Sequence, residues 1–270
     1  MNARMRTVVA SLAALAALGA QASCPRPLQV PLAPIGVSVS FDGNQATGIY
    51  PTLLREVAAD TGCQLEVQRV PRARQQKLFD AGQAHLLVPA SATPARDAKA
   101  EFVPLIQVRA SLLTLGSDPA PPRSLAQLLA KPDYKLVVVR GFSFGAAYDS
   151  AIATLRQRQR LVEEADTVGV ARALQRGLAQ GTVMTASILV GTLMVEPELQ
   201  PLLKQLQSSP LDELGWNASG LYLSNSSLSK AERDTLRTAF GQAARNGRVW
   251  QLFNEHHPPG SLSQSIRPLP

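Results

Sequence analysis

The chain has 270 residues, 45% of them hydrophobic and 17% charged, with a formal net charge of +7. Its one long apolar run, residues 7–20, is too short to span a bilayer as a helix, which takes ~20 apolar residues, and this argues against a protein built from apolar helical spans. A basic balance suits anionic partners, and in an exported chain these are solutes or membrane headgroups and not nucleic acid.

The chain opens with the basic stretch MNARMR, continues into that run of Val, Ala and Leu, and exits through Gln21, Ala22 and Ser23. This pattern reads as a secretory signal peptide over residues 1–22, with Ala20 and Ala22 meeting the A-x-A cleavage preference. The expected location is therefore the periplasm, and loss of Arg4 and Arg6 leaves a mature charge of about +5. Lipidation at Cys24 is the alternative, but Gln21 stands where a lipobox prefers Leu. Cys24 and Cys63 are the two cysteines, and an even count in an exported chain predicts a disulfide. They lack the C-x-x-C spacing and the neighbouring histidines of a redox or metal pair, so no metal and no cofactor is expected.

After the leader, residues 28–32 alternate as a strand, and residues 34–48 are rich in Gly, Pro, Asn and Asp and read as a loop. Residues 50–61 place Leu53, Leu54, Val57 and Ala58 on one helical face, with Gly62 as terminator. A strand follows at Leu65 and Val67, then a short helix over 73–79 stopped at Gly82, then an apolar strand over 85–89. Thr93 and Pro94 open a further turn as cap and first helical residue. The middle of the chain reads as a strand over 108–115, a Pro-rich spacer, a helix capped by Ser124, and a strand over 136–139 running into Gly141-Phe142-Ser143-Phe144-Gly145. Helices over 146–159 and 168–179 alternate with strands over 161–164 and near Val183. Strands alternating with helices predict α/β units with largely parallel sheets. Arg156, Arg158 and Arg160 end a helical pattern and read as a solvated face. A short strand spans 221–223, and the Ser229-Lys230-Ala231-Glu232 capping box starts a helix reaching Asn246. Gly247 stops it, and a short helix through Trp250 and Phe253 leads to the adjacent His256 and His257, which read as a solvent-exposed end.

The string GIYPTLLREVAADTGCQLEVQRVPRARQQKLFDAGQAHLLVPASATPARDAKAEF, residues 48–102, resembles the first lobe of the family 3 solute-binding proteins, which have the type 2 periplasmic binding fold and are best known for amino acid uptake by ABC transporters. The resemblance rests on Gly48 before the first long helix, Gly62 after it, Ala81-Gly82, and the Thr93-Pro94-Ala95-Arg96 turn followed by Phe102, in that order. VVVRGFSFGAAYD resembles the opening of the second lobe more weakly. The resemblance implies two α/β lobes, each with a mixed, mainly parallel sheet flanked by helices, around a ligand cleft. It divides the mature chain into 23–110 (first lobe), 111–217 (second lobe) and 218–270 (return to the first lobe and tail), with crossings near residues 109–112 and 216–220. The working motion it implies is hinge closure.

By the same resemblance Arg96 is the candidate anchor, a planar fork for a ligand carboxylate, with Ser91 and Thr93 adding donors from its turn. Ser143, Phe144 and Gly145 lie where a strand gives way to a helix, and exposed amides there favour an anion. Arg72 and Arg74 flank a turn and face either the cleft or solvent; Tyr50 and Phe41 are apolar walls or core. Met184 and Leu189 stand where amino acid binders of this family carry Asp for the ligand's ammonium, which favours a carboxylate or other anion. His85 replaces a further frequent Asp and reads as structural. The expected function is capture of a small anionic or zwitterionic ligand, carboxylate- or amino-acid-like, by a monomer serving an inner-membrane ABC permease. A sensing subunit of the same fold signalling to a membrane kinase or cyclase is the alternative. A cleft enzyme such as a dehydratase is the third reading, and no G-x-S-x-G, H-E-x-x-H or P-loop supports it.

Overall fold

One glycine at each end, Gly48 and Gly62, frames a thirteen-residue helix at the start of the fold in this computed structural model, which describes residues 24–116 and 120–270. The stretch over residues 1–22 expected to be a signal peptide lies outside the described residues. Strand β1 (Leu28–Leu32) leads through a short hairpin, β2 (Ser40–Asp42) and β3 (Gln45–Thr47), into α1 (Ile49–Thr61). Gly62 ends α1 in the left-handed conformation at φ 70°, a state that a residue without Cβ adopts freely. Cys63 follows and is joined to Cys24, with Cα atoms 4.9 Å apart. That bond uses the sulfur on which a lipid anchor would be built. Next come β4 (Leu65–Arg69), α2 (Arg72–Asp80), β5 (Leu86–Ser91), the single turn α3 (Pro94–Asp97) and β6 (Ala100–Val108). β1 pairs with β4 in parallel, Leu28 opposite Leu65.

Only Arg109 separates β6 from β7 (Ala110–Leu115), which belongs to a different core. That core is built from α4 (Leu125–Ala130), β8 (Leu136–Val139), α5 (Ala146–Gln157), β9 (Leu161–Glu164), α6 (Thr167–Gln175), β10 (Thr182–Thr185), α7 (Ala186–Val195), a 3-10 turn (Gln200–Lys204) and β11 (Leu206–Pro210). β8 and β9 pair in parallel, whereas β7 lies antiparallel between β10 and β11. The chain then returns: β12 (Asn217–Ser224) runs antiparallel between β5 and β6. α8 (Lys230–Arg245) and α9 (Arg248–Glu255) cover this sheet, and β13 (Ile266–Arg267) extends its edge on β6. The result is a mixed α/β fold with two separate sets of hydrophobic cores. One joins Leu28, Leu53 and Leu105 to Leu221 and Phe240; the others join Leu112, Leu136 and Tyr148, and Val137, Val170 and Leu193.

Several local devices are those that the sequence predicts. The Thr93 hydroxyl accepts from the Arg96 amide, that of Ser124 from Gln127, and Ser229 and Glu232 form the reciprocal capping box. One surface reading is corrected: Arg160 is 7% exposed. It donates to the carbonyls of Leu128 and Leu129, which the end of α4 leaves without helical partners, and to that of Tyr134 beyond the helix. Arg156 keeps to the surface and pairs with Glu163. Among the described residues no helix is long and apolar enough to cross a membrane.

Candidate functional site

The carboxyl ends of β5, β6, β8 and β10 converge on a cavity between the two sets of cores, the position at which α/β sheets leave room for a ligand. From the first side come Ser38, Tyr50 on α1, Arg72 at the start of α2, residues 89–91 and Ser219. Ser91 and Ser219 are cross-strand neighbours, so the pairing of β5 with β12 sets two hydroxyls side by side. From the second side come residues 142–144 after β8, Thr185 at the end of β10 and Ile188 on α7. The space open to the centre of a water molecule is about 60 Å³; one water needs roughly 10–15 Å³ of such space, so the cavity suits a small solute and not a polymer.

Tyr50 is 3% exposed and meets Phe253 edge-on at 6.1 Å between ring centroids. Burial holds its phenol well above the ordinary range, partly offset by its hydrogen bond with Ser219. On the other wall Phe144 is wedged edge-on between Phe142, at 5.9 Å, and Tyr148, at 5.1 Å. This stack fixes the loop after β8.

Arg72 is 5% exposed. Its Nη1 donates to Gln75 Oε1 at 2.7 Å and to the Pro89 carbonyl at 3.1 Å, while its buried Nε has no partner. Burial, and then the nearby charge of Arg96, bring this guanidinium down to about 9. It is a buried cation that makes no ion pair within 4 Å among the described residues, and it borders this cavity as well as a second one that Asp166 also lines.

Of the residues singled out from sequence, Tyr50, Arg72, Ser91, Ser143 and Phe144 line this cavity together. Arg96, 8% exposed, lies behind Ser91: Nη1 donates to the Ser91 carbonyl at 2.9 Å and Nη2 to Gln76 Oε1 at 2.9 Å. Thr93 spends its hydroxyl on the α3 cap, and its amide donates to the Tyr222 hydroxyl at 3.0 Å, which itself donates to Asp97 at 2.6 Å. Gly145 starts α5, and its amide donates to Ser143 Oγ, which in turn donates to Asp149 at 2.8 Å. Arg74 is exposed, two residues further round α2 than Arg72, and Phe41 packs on the first core under Arg69. None of these five lines the cavity. Sequence reasoning passed over Thr185 and Ser219; Thr185 carries the same signal as Ser143, a hydroxyl where an apolar strand gives way to a helix.

The two sides touch around the cavity. A Cβ on Gly36 would fall 2.4 Å from the Thr192 amide nitrogen, and one on Gly191 would fall 2.8 Å from Val37 Cγ2. These glycines let α7 and the loop after β1 meet backbone to backbone. His257, read from sequence as solvent-exposed, is 6% exposed. It stacks on Phe253, and its ring nitrogens face the carbonyls of Phe253 at 3.0 Å and Ser187 at 3.3 Å, so α7 covers it. His85 is held in the first core, where Nδ1 accepts from the Gln29 amide at 2.8 Å and the ring contacts Arg26. Among the described residues no group of three or more His, Cys, Asp or Glu is placed to hold a metal.

No known family pattern and no curated protein matches this sequence. Solved structures match over most of the chain. An amino acid ABC transporter substrate-binding protein, AbpA from Streptococcus pneumoniae, bound to L-arginine, superposes with a TM-score of 0.69 at 18% identity, over 85% of this chain and 94% of that one. The ligand-binding core of GluR0 with L-glutamate gives 0.67 at 19% identity, over 86% and 98%. A histidine kinase sensor domain with similarity to periplasmic binding proteins gives 0.67 at 16% identity, over 86% and 96%. The fold is thus the two-lobed one of periplasmic binding proteins, as the resemblance over residues 48–102 implied.

Proposed function

We propose that this chain is a periplasmic solute-binding protein that closes two lobes over a small anionic or zwitterionic solute and hands it to an ABC importer in the inner membrane. The observation that carries this reading is the cavity itself, which takes one wall from the first core and the other from the second. A solute seated there bonds to both walls and favours the closed arrangement by its differential affinity for it. The lobes divide near residues 110 and 217, where the chain crosses between cores. Tyr50, Ser91, Ser143 and Phe144 supply the contacts, and Arg96 braces the Ser91 carbonyl. The reading is one of binding without turnover. A sensing role, in which the closed state is read by a membrane kinase or cyclase, draws on the likeness to the histidine kinase sensor domain.

The test is thermal unfolding of the disulfide-bonded mature protein against amino acids, dicarboxylates, aromatic acids, amines and oxyanions. A solute at ~100 times its dissociation constant adds ~2.7 kcal/mol, which raises the midpoint by roughly 5 to 10 °C in a protein of this size. Protein shown to be unliganded that shifts with none of them contradicts the reading.

A further inference from the structure

We infer that the solute is a small monocarboxylate without an ammonium group, held by the Nε–Nη2 edge of Arg72; this rests on the cleft being a solute site. Nη1 of Arg72 is taken by Gln75 and Pro89, whereas Nε is buried without a partner and Nη2 makes no hydrogen bond to the described residues. That edge presents two parallel N–H donors, the geometry that a carboxylate accepts in a bidentate pair. A buried cation without an ion pair is costly by itself, and a ligand that brings one negative charge removes the cost.

The rest of the lining argues against a second charge on the ligand. Its polar side chains besides Arg72 are hydroxyls, those of Ser38, Tyr50, Ser91, Ser143, Thr185 and Ser219, and no Asp or Glu is among the lining residues. The acid in contact with that lining, Asp149, is exposed, accepts the Ser143 hydroxyl and acts on Arg96. An ammonium in the cavity would lose its water, meet only hydroxyls and carbonyls, and lie close to a guanidinium of the same sign. Phe142, Phe144, Ile188 and Phe253 instead offer apolar surface, which suits a hydrocarbon body on the acid.

Isothermal titration of the mature protein with pairs differing by the amine alone tests this: alanine and propionate, leucine and 4-methylpentanoate, phenylalanine and 3-phenylpropionate. The expected result is that the amine-free member of at least one pair binds on the order of 100-fold tighter than its amino acid, because the unpaired ammonium loses the worth of a charged hydrogen-bonding group. Arg72→Gln should lose that binding, and Arg72→Lys, which keeps the charge without the fork, should retain a part of it. If Arg72→Gln does not fold, the pairs on the unaltered protein still decide. Binding in which no pair prefers its amine-free member overturns the inference and leaves the cleft reading standing. An amine as the only solute that shifts stability does the same. No response to any solute class overturns the cleft reading and this inference with it.

Discussion

Replacing Arg72 by Met should make the unliganded protein more stable while emptying the cleft of its anchor. In the native state the guanidinium is 5% exposed and makes no ion pair within 4 Å among the described residues. Its fall to about 9 from the ordinary guanidinium range is worth roughly 5 kcal/mol against the charged form. Met keeps most of the length and removes the charge. Against this gain stand Gln75 Oε1 and the Pro89 carbonyl, which each lose the Nη1 donor, at about 1–2 kcal/mol apiece. The net expectation is a gain of roughly 1–3 kcal/mol, or about 2 to 10 °C in the unfolding midpoint, measured by urea and thermal unfolding at pH 7. A loss of about 2 kcal/mol or more would refute this reasoning and make Arg72 a satisfied structural residue.

Gly191→Ala should raise the intrinsic stability of α7 by about 1 kcal/mol, yet its Cβ would meet Val37 Cγ2 at 2.8 Å and keep the lobes apart. Solute affinity is expected to fall about tenfold or more with no loss of unfolding stability, and unchanged affinity in titration contradicts the assignment of this contact to closure. The disulfide closes a loop of 39 residues, for which chain entropy gives about 4 kcal/mol; Cys63→Ser should lower the midpoint by roughly 10 °C, and a change under about 2 °C would contradict it. His85 and His257 are both held below the ordinary histidine value, burial being the first cause. The unfolded chain therefore takes up protons that the native one does not as pH drops below ~6.5, and stability falls with it, by at most about 2.7 kcal/mol per pH unit for the pair. An unfolding midpoint that is level between pH 7 and 5 would contradict this.

What the sequence discloses depends on whether a residue acts through local geometry. Caps at Thr93, Ser124 and Ser229 and the stop at Gly62 are local, and the structure has all four. Strand β6 is harder to read because Pro104 interrupts it, and proline removes a ladder donor; β12 accommodates it with a register shift between Ser219 and Gly220. A Cβ on Gly220 would fall 1.9 Å from the Val103 carbonyl, so the two chains fit by omission of a side chain. Helix α7, ASILVGTLMV, is apolar on nearly every side and shows no 3.6-residue alternation, since the second core and the first lobe cover it together. The site divides in the same way. Tyr50, Ser91, Ser143 and Phe144 stand at strand ends or helix starts that the sequence marks. The choice between Arg72 and Arg74 turns on a rotation of about 200° along one helix, and the sequence leaves that phase open. His257 reads as a tail residue because α7, which buries it, lies 70 residues away in the chain.

The central claim is that one small solute bridges both walls of the cleft. Hydrogen–deuterium exchange of the mature protein, with and without a saturating amount of the tightest-binding compound of the panel, tests it most directly. The expected result is slowed exchange in peptides spanning residues 72–76, 90–93, 142–145 and 185–188 together. Slowing confined to one lobe, or placed instead on the groove between α1 and α8 that Glu56, Asp60 and Gln242 border, would contradict it.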